Sequence, residues 1–227
     1  MKIAGIIGGV SWHSTKLLYE YVNTRVAQEK GGLNCARMVM INVNLQEIVQ
    51  AGNSKEKENI IVDAALRAER AGAEFITLCS NGLHQYAQCI ENAVNIPFIH
   101  IADVTADAIV SAGYQRVGLL GVKETMEQDF YKARLEKRGL QISIPEKKER
   151  DFIEKVLFNE TGIGIVKKSS QEAFGQIIQK LVEQSRVQSV ILGCTEIEML
   201  VKNYKNVPLF NTTTIYADRI AQLCCED

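Results

Sequence analysis

Among its 227 residues the sequence has only three histidines, no CxxC pair, and neither a GxGxxG nor a GxxxxGK[ST] loop. Each shortage removes a class of function. His100 and Asp103 have no third ligand spaced nearby, so no metal site is expected. Six cysteines without regular spacing argue against a zinc ribbon or a disulfide scaffold and for reduced thiols. The two short glycine loops, GIIGG and GLLGV, lack the pattern of a nucleotide cradle. No charge of one sign is in excess: Lys and Arg number 26, Asp and Glu 27, and both are scattered. Neither nucleic acid nor an anionic membrane is therefore expected as a partner. There is no long hydrophobic run either. The opening MKIAGIIGGVSWHST is too short to span a bilayer and carries neither a basic region nor a cleavage site, which predicts a cytoplasmic protein.

What is present is a large apolar fraction, 46%, arranged as short continuous runs alternating with helical patterns. KIAGIIG precedes a helix in which Leu17, Leu18, Tyr21, Val22 and Val26 recur at helical spacing before the Gly31-Gly32 stop. ARMVMINVN, the helical KENIIVDAALRAERAG and then FITLCS continue the alternation. Continuous apolar strands between helices predict an α/β fold in which helices cover both faces of a parallel sheet.

The chain also repeats itself. GIIGG at 5–9 resembles GLLGV at 118–122, ITLCSN resembles VILGCT, and Ile96-Pro97 resembles Val207-Pro208, all at a nearly constant offset. The repeat predicts two pseudo-symmetric α/β halves, with the active site in a cleft between them. The first comprises 1–98 plus 209–227, and the second 99–208. NTTTIYADRIAQLCC starts like IADVTADAIVSAG and is expected to return to the first half as a helix.

Parallel sheets bind ligands beyond the carboxyl ends of their strands. The repeat sets Ser80 opposite Cys194 at those ends and matches Cys79 to Gly193. Side chains alternate along a strand, so Cys79 is read as core. Cys194 stands where an apolar strand meets a helix start. Helix-terminal N–H groups there are expected to lower its pKa and favour thiolate, with Glu196 orienting neighbouring donors. His84 is read as a helix-start residue with a possible general-base role. Cys224-Cys225 is read as a helix face plus an exposed thiol, not a redox centre.

These pieces together resemble the aspartate/glutamate racemase family of cofactor-independent amino-acid racemases. The resemblance runs through GIIGGVSWHST (5–15), RAGAEFITLCSNGLH (70–84), IPFIHIADVT (96–105), GLLGVKETMEQDFY (118–131), Gly164–Lys167 and VILGCTEIEML (190–200), the most specific of them. It implies no cofactor, an aspartate or glutamate substrate, a homodimer, and two acid–base groups flanking Cα, here Cys194 and Ser80. It further implies a cradle for the α-carboxylate from Ser11, Asn81 and Thr195 with the amides of Gly8, Gly9 and Gly82, and substrate-binding roles for Thr125 and Glu196. Lys167 would pair with the distal carboxylate.

Several positions depart from the family pattern. Ser80 replaces the usual Cys, and Gly82 the Thr that follows Asn. His13 replaces a Glu, Val122 a Thr, Asn211-Thr212 an Asp-Thr pair, and Tyr216 a His. The loop after INVNLQEIVQ offers Gln50, Asn53 and Lys55 but no Arg. A serine hydroxyl is a far weaker acid than a thiol, so the expected racemase is asymmetric, faster from the enantiomer whose proton faces Cys194. The departures leave two alternatives. One is a single-cysteine decarboxylase or isomerase of a dicarboxylate. The other is a non-catalytic binder of small carboxylates.

Overall fold

The apolar runs KIAGIIG, ARMVMINVN and FITLCS become parallel strands in the computed structural model, which describes residues 1–226, whereas the run at 96–99 makes only a single bridge through Phe98. The chain divides into two units, Met1–Ile101 with the segment from Tyr216 onward, and Ala102–Ile215.

The first unit holds β1 (Ile3–Gly8), α1 (Trp12–Lys30), β2 (Arg37–Asn42), α2 (Leu45–Gln50), α3 (Ser54–Arg70), β3 (Phe75–Leu78) and α4 (Ala87–Ala93). Its strands run parallel in the order β2-β1-β3. β1 and β3 are nearly side-chain-continuous core, and α3 turns Ile61, Ala64, Ala65 and Ala68 onto them, the spacing of one helix face. Asn53 starts that helix by accepting the N–H of Glu56 at 3.0 Å, and its amide donates to the Glu56 carboxylate at 2.8 Å. Lys55 pairs with Glu58 at 2.5 Å. Of the three polar residues this loop offers, Asn53 and Lys55 are thus engaged in building the helix.

The second unit contains α5 (Ile101–Ser111), β4 (Arg116–Gly121), α6 (Lys123–Glu127), α7 (Asp129–Lys137), β5 (Gln141–Ser143), α8 (Lys147–Asn159), α9 (Lys168–Ser185), β6 (Ser189–Gly193), α10 (Thr195–Leu200) and β7 (Leu209–Asn211), and α11 (Thr212–Cys225) follows. Its strands are parallel in the order β5-β4-β6-β7. Phe174, Ile177, Ile178 and Leu181 of α9 form its buried stripe.

Strand register reproduces the repeat. Ala4 pairs with Phe75 and Ile7 with Leu78, while Val117 pairs with Ser189 and Leu120 with Leu192. Ile76 bridges Phe98 as Val190 pairs with Leu209. Ser80 and Cys194 therefore hold equivalent positions, each two steps past the pair Ile7–Leu78 or Leu120–Leu192. Two expected boundaries move. Residues 209–215 fall in the second unit, where 209–211 form β7 on β6, and residues 99–101 fall in the first, where the Ile99 N–H donates to Ile76 O at 2.9 Å. Cys224 and Cys225 of α11 are both buried, so neither is the exposed thiol expected there. Among the described residues, no helix is long and apolar enough to cross a membrane.

Candidate functional site

In the first unit β1 ends at Gly8-Gly9, and the geometry there admits nothing larger. Gly9 has φ +94°, and a Cβ would lie 1.9 Å from the Val43 carbonyl oxygen. Its N–H donates to Thr15 Oγ1 at 2.8 Å. That bond removes the Gly9 amide from the expected carboxylate cradle. Ser11 precedes α1 with its hydroxyl 3.3 Å from that of Ser14. Trp12 and His13 stack on each other at the surface.

β3 ends at Leu78. Cys79 is buried, its N–H bonded to Ile7 O at 2.9 Å, whereas Ser80 is half-buried. The Ser80 hydroxyl accepts the N–H of Leu83 at 3.3 Å. Asn81 is buried and Gly82 opens a short 3₁₀ turn, Gly82–Tyr86. His84 serves this turn. Its Nδ1 lies 2.5 Å from the Ser80 carbonyl and its Nε2 accepts the N–H of Ile101 at 3.2 Å. A carbonyl only accepts and an amide only donates, so the ring is the neutral Nδ1–H tautomer. With both nitrogens on backbone, His84 braces the strand end and leaves no lone pair for a general base, which corrects the role entertained above. Tyr216 does similar work: its hydroxyl accepts the N–H of Leu78 at 3.3 Å and donates to Ile99 O. Burial pushes its pKa far up, so it stays a phenol.

In the second unit Cys194 follows β6 and is the N-cap residue of α10. Its Sγ donates to Glu196 Oε2 at 2.9 Å, and the same oxygen accepts the Thr195 hydroxyl at 2.7 Å. The expected thiolate is not what this geometry favours. Burial comes first, then the adjacent Glu196 charge and its hydrogen bond, and together they hold the Cys194 pKa well above its usual value. A backbone hydrogen bond from Glu196 pulls the other way and is outweighed. The resting group is a thiol.

Thr125, in α6, is fully buried, and its Oγ1 has no hydrogen-bond partner among the described residues. It packs over the ends of β4 and β6, since a Cβ at Gly121 or Gly193 would meet its side chain at 3.2 Å or 3.4 Å. Thr15 covers Gly8 in the first unit in the same way but spends its hydroxyl on Gly9. An orphaned buried hydroxyl costs about 1–3 kcal/mol, and a bound polar group would recover it.

Two carboxylates escaped the sequence reading. Glu154 of α8 accepts the Lys123 N–H at 2.8 Å, capping α6, and its charge adds to the upward push on Cys194. Burial raises its own pKa. The only hint of it was a carboxylate beside Ile153 in the apolar stripe of α8. Glu160 meets Lys167 Nζ at 3.0 Å and the Ser170 hydroxyl at 2.7 Å. The Lys167 ammonium, expected to await a substrate carboxylate, already has one.

Compared with known proteins, residues 7–220 match the Asp/Glu/Hydantoin racemase family. The chain is 39% identical to a candidate Asp/Glu racemase from Yersinia pestis of known structure, with a TM-score of 0.92 over 100% of both chains. It is 31% identical to an aspartate racemase homologue from Pyrococcus horikoshii OT3, with a TM-score of 0.86 over 100% of both. It shares 30% identity over 87 residues with the broad specificity amino-acid racemase RacX of Bacillus subtilis (strain 168), and spans only 38% of that relative's length. The pair of parallel sheets is the architecture of these structures.

Proposed function

The chain belongs to the Asp/Glu/Hydantoin racemase family, and we propose that it is an amino-acid racemase working without a cofactor, with Cys194 serving one face of Cα and Ser80 the other. The observation that carries this reading is the Cys194–Glu196 hydrogen bond at the end of β6. A thiol beside a carboxylate is a proton relay. The thiol proton passes to Glu196, the thiolate takes the α-proton, and a carbanion remains. Ser80 then returns a proton from its own face, and solvent carries the proton held by Glu196 back to Ser80. The α-carboxylate must be held while negative charge develops. Ser11, Asn81, the Gly82 amide, Thr195 and the unsatisfied hydroxyl of Thr125 are the groups assigned to it. Glu196 moves from substrate binding to serving the thiol.

The test is incubation with single enantiomers of aspartate, glutamate and neutral amino acids in D2O, followed by chiral separation and mass spectrometry. Deuterium at Cα with inversion supports the racemase. A second reading is favoured by the serine at the position equivalent to Cys194: one-thiol chemistry such as decarboxylation or isomerisation of a dicarboxylate. Loss of CO2 or isomerisation of a dicarboxylate, with no α-deuterium in any amino acid, would establish it.

A further inference from the structure

We infer that Glu160 withdraws Lys167 from the substrate, so that the racemase proposed above, on which this inference rests, prefers amino acids with uncharged side chains to aspartate and glutamate. A distal carboxylate needs a cation whose charge is not already matched. Lys167 is bound to Glu160 at 3.0 Å, and the pair is asymmetric: the Glu160 side chain is 14% exposed and that of Lys167 55%. The other oxygen of Glu160 takes the Ser170 hydroxyl at 2.7 Å, which anchors the carboxylate independently of the lysine. Ser170 and Lys167 together hold its pKa down, keeping it charged.

The intervening backbone is built on the same residue. Glu160 O accepts the N–H groups of Ile163 and Ile165, at 3.0 and 2.9 Å. The turn Thr161–Ile163 packs on α10, the helix that Cys194 caps. Outward, this loop offers exposed Ile163, Ile165 and Val166 rather than an unmatched cation. The next cation, Lys168, faces Glu172 at 3.9 Å. Near the thiol the added charges are negative, from Glu196 and Glu154. A second carboxylate on the substrate would meet repulsion there, whereas a neutral side chain would not.

The experiment measures kcat and KM for α-deuterium exchange, and Kd by calorimetry, with aspartate, glutamate, methionine and serine. The enzymes are wild type, Glu160→Gln, Lys167→Met and the double variant. Glu160→Gln keeps an acceptor for Ser170 but frees the ammonium. Expected results are a wild-type kcat/KM at least tenfold higher for a neutral substrate, and a tenfold or greater fall in KM and Kd for acidic substrates in Glu160→Gln. The double variant should abolish that gain, and Lys167→Met alone should leave acidic substrates within threefold. Acidic substrates best in wild type, or a tenfold rise in their KM in Lys167→Met, would overturn the inference. If no amino acid exchanges but Glu160→Gln gains affinity for acidic ligands, the racemase reading fails and the role of Glu160 stands. If Glu160→Gln changes neither KM nor Kd, the role of Glu160 fails by itself.

Discussion

The thiol of Cys194 donates to the carboxylate of Glu196 two residues along the chain, at 2.9 Å, across the first turn of α10. The helix start that commonly makes a cysteine acidic here carries the group that keeps it protonated.

That relationship predicts a pH profile. Because burial and Glu196 raise the pKa above the usual 9.0, the thiolate is scarce at neutral pH and gains population only as pH rises past the ordinary thiol range. Alkylation of Cys194 by iodoacetamide should be slow at neutral pH and climb through the alkaline range. Removing the negative charge favours thiolate, so Glu196→Gln should move the profile to lower pH, leaving the contribution of burial in place. Coincident profiles for the two proteins would show that the carboxylate does not act on the sulfur.

Ser80→Cys places a thiol at the position equivalent to Cys194. A thiol is the better base by several pKa units, each about 1.4 kcal/mol of driving force, of which only part reaches the barrier. Turnover should rise mainly in the direction that begins on the Ser80 face, and Cys194→Ala should abolish exchange in both. Cys79→Ala should cost packing and little rate, as Cys79 is 5% exposed. An inactive Cys79→Ala beside an active Ser80→Ala would mean that Cys79 is the proton carrier.

His84→Ala should cost stability rather than chemistry. It removes two hydrogen bonds to backbone and leaves a buried gap, about 2–4 kcal/mol together. Urea unfolding would report the loss, while exchange per folded molecule should keep its pH dependence. A variant of unchanged stability without activity would return His84 to the acid–base machinery.

Gly9→Ala and Gly72→Ala separate backbone conformation from crowding. Both glycines have positive φ, at +94° and +93°, but the new Cβ collides with Val43 O only at Gly9 and meets nothing within 4 Å at Gly72. Gly72→Ala should cost about 1 kcal/mol and Gly9→Ala at least 2 kcal/mol more. Equal losses in thermal unfolding would refute the collision.

Much of this molecule follows from sequence alone. Two α/β halves, their strand ends, and the equivalence of Ser80 and Cys194 all follow from apolar runs repeated at a nearly constant offset. Such runs specify strands wherever both faces are buried, and equivalent register needs only similar spacing. Periodicity could not assign residues 209–211, because a three-residue segment belongs to whichever sheet has an open edge beside it. Nor could it anticipate the charges. Glu196 was legible as a neighbour of Cys194, but whether a carboxylate orients donors or holds the thiol proton depends on its rotamer. Lys167 was legible as a cation, yet Glu160 cancels it because a loop closing on its own carbonyl brings the two together. Helices and strands are set by short-range patterns; proton affinity is set by burial and by the few charged or hydrogen-bonding atoms alongside, and only tertiary structure chooses those.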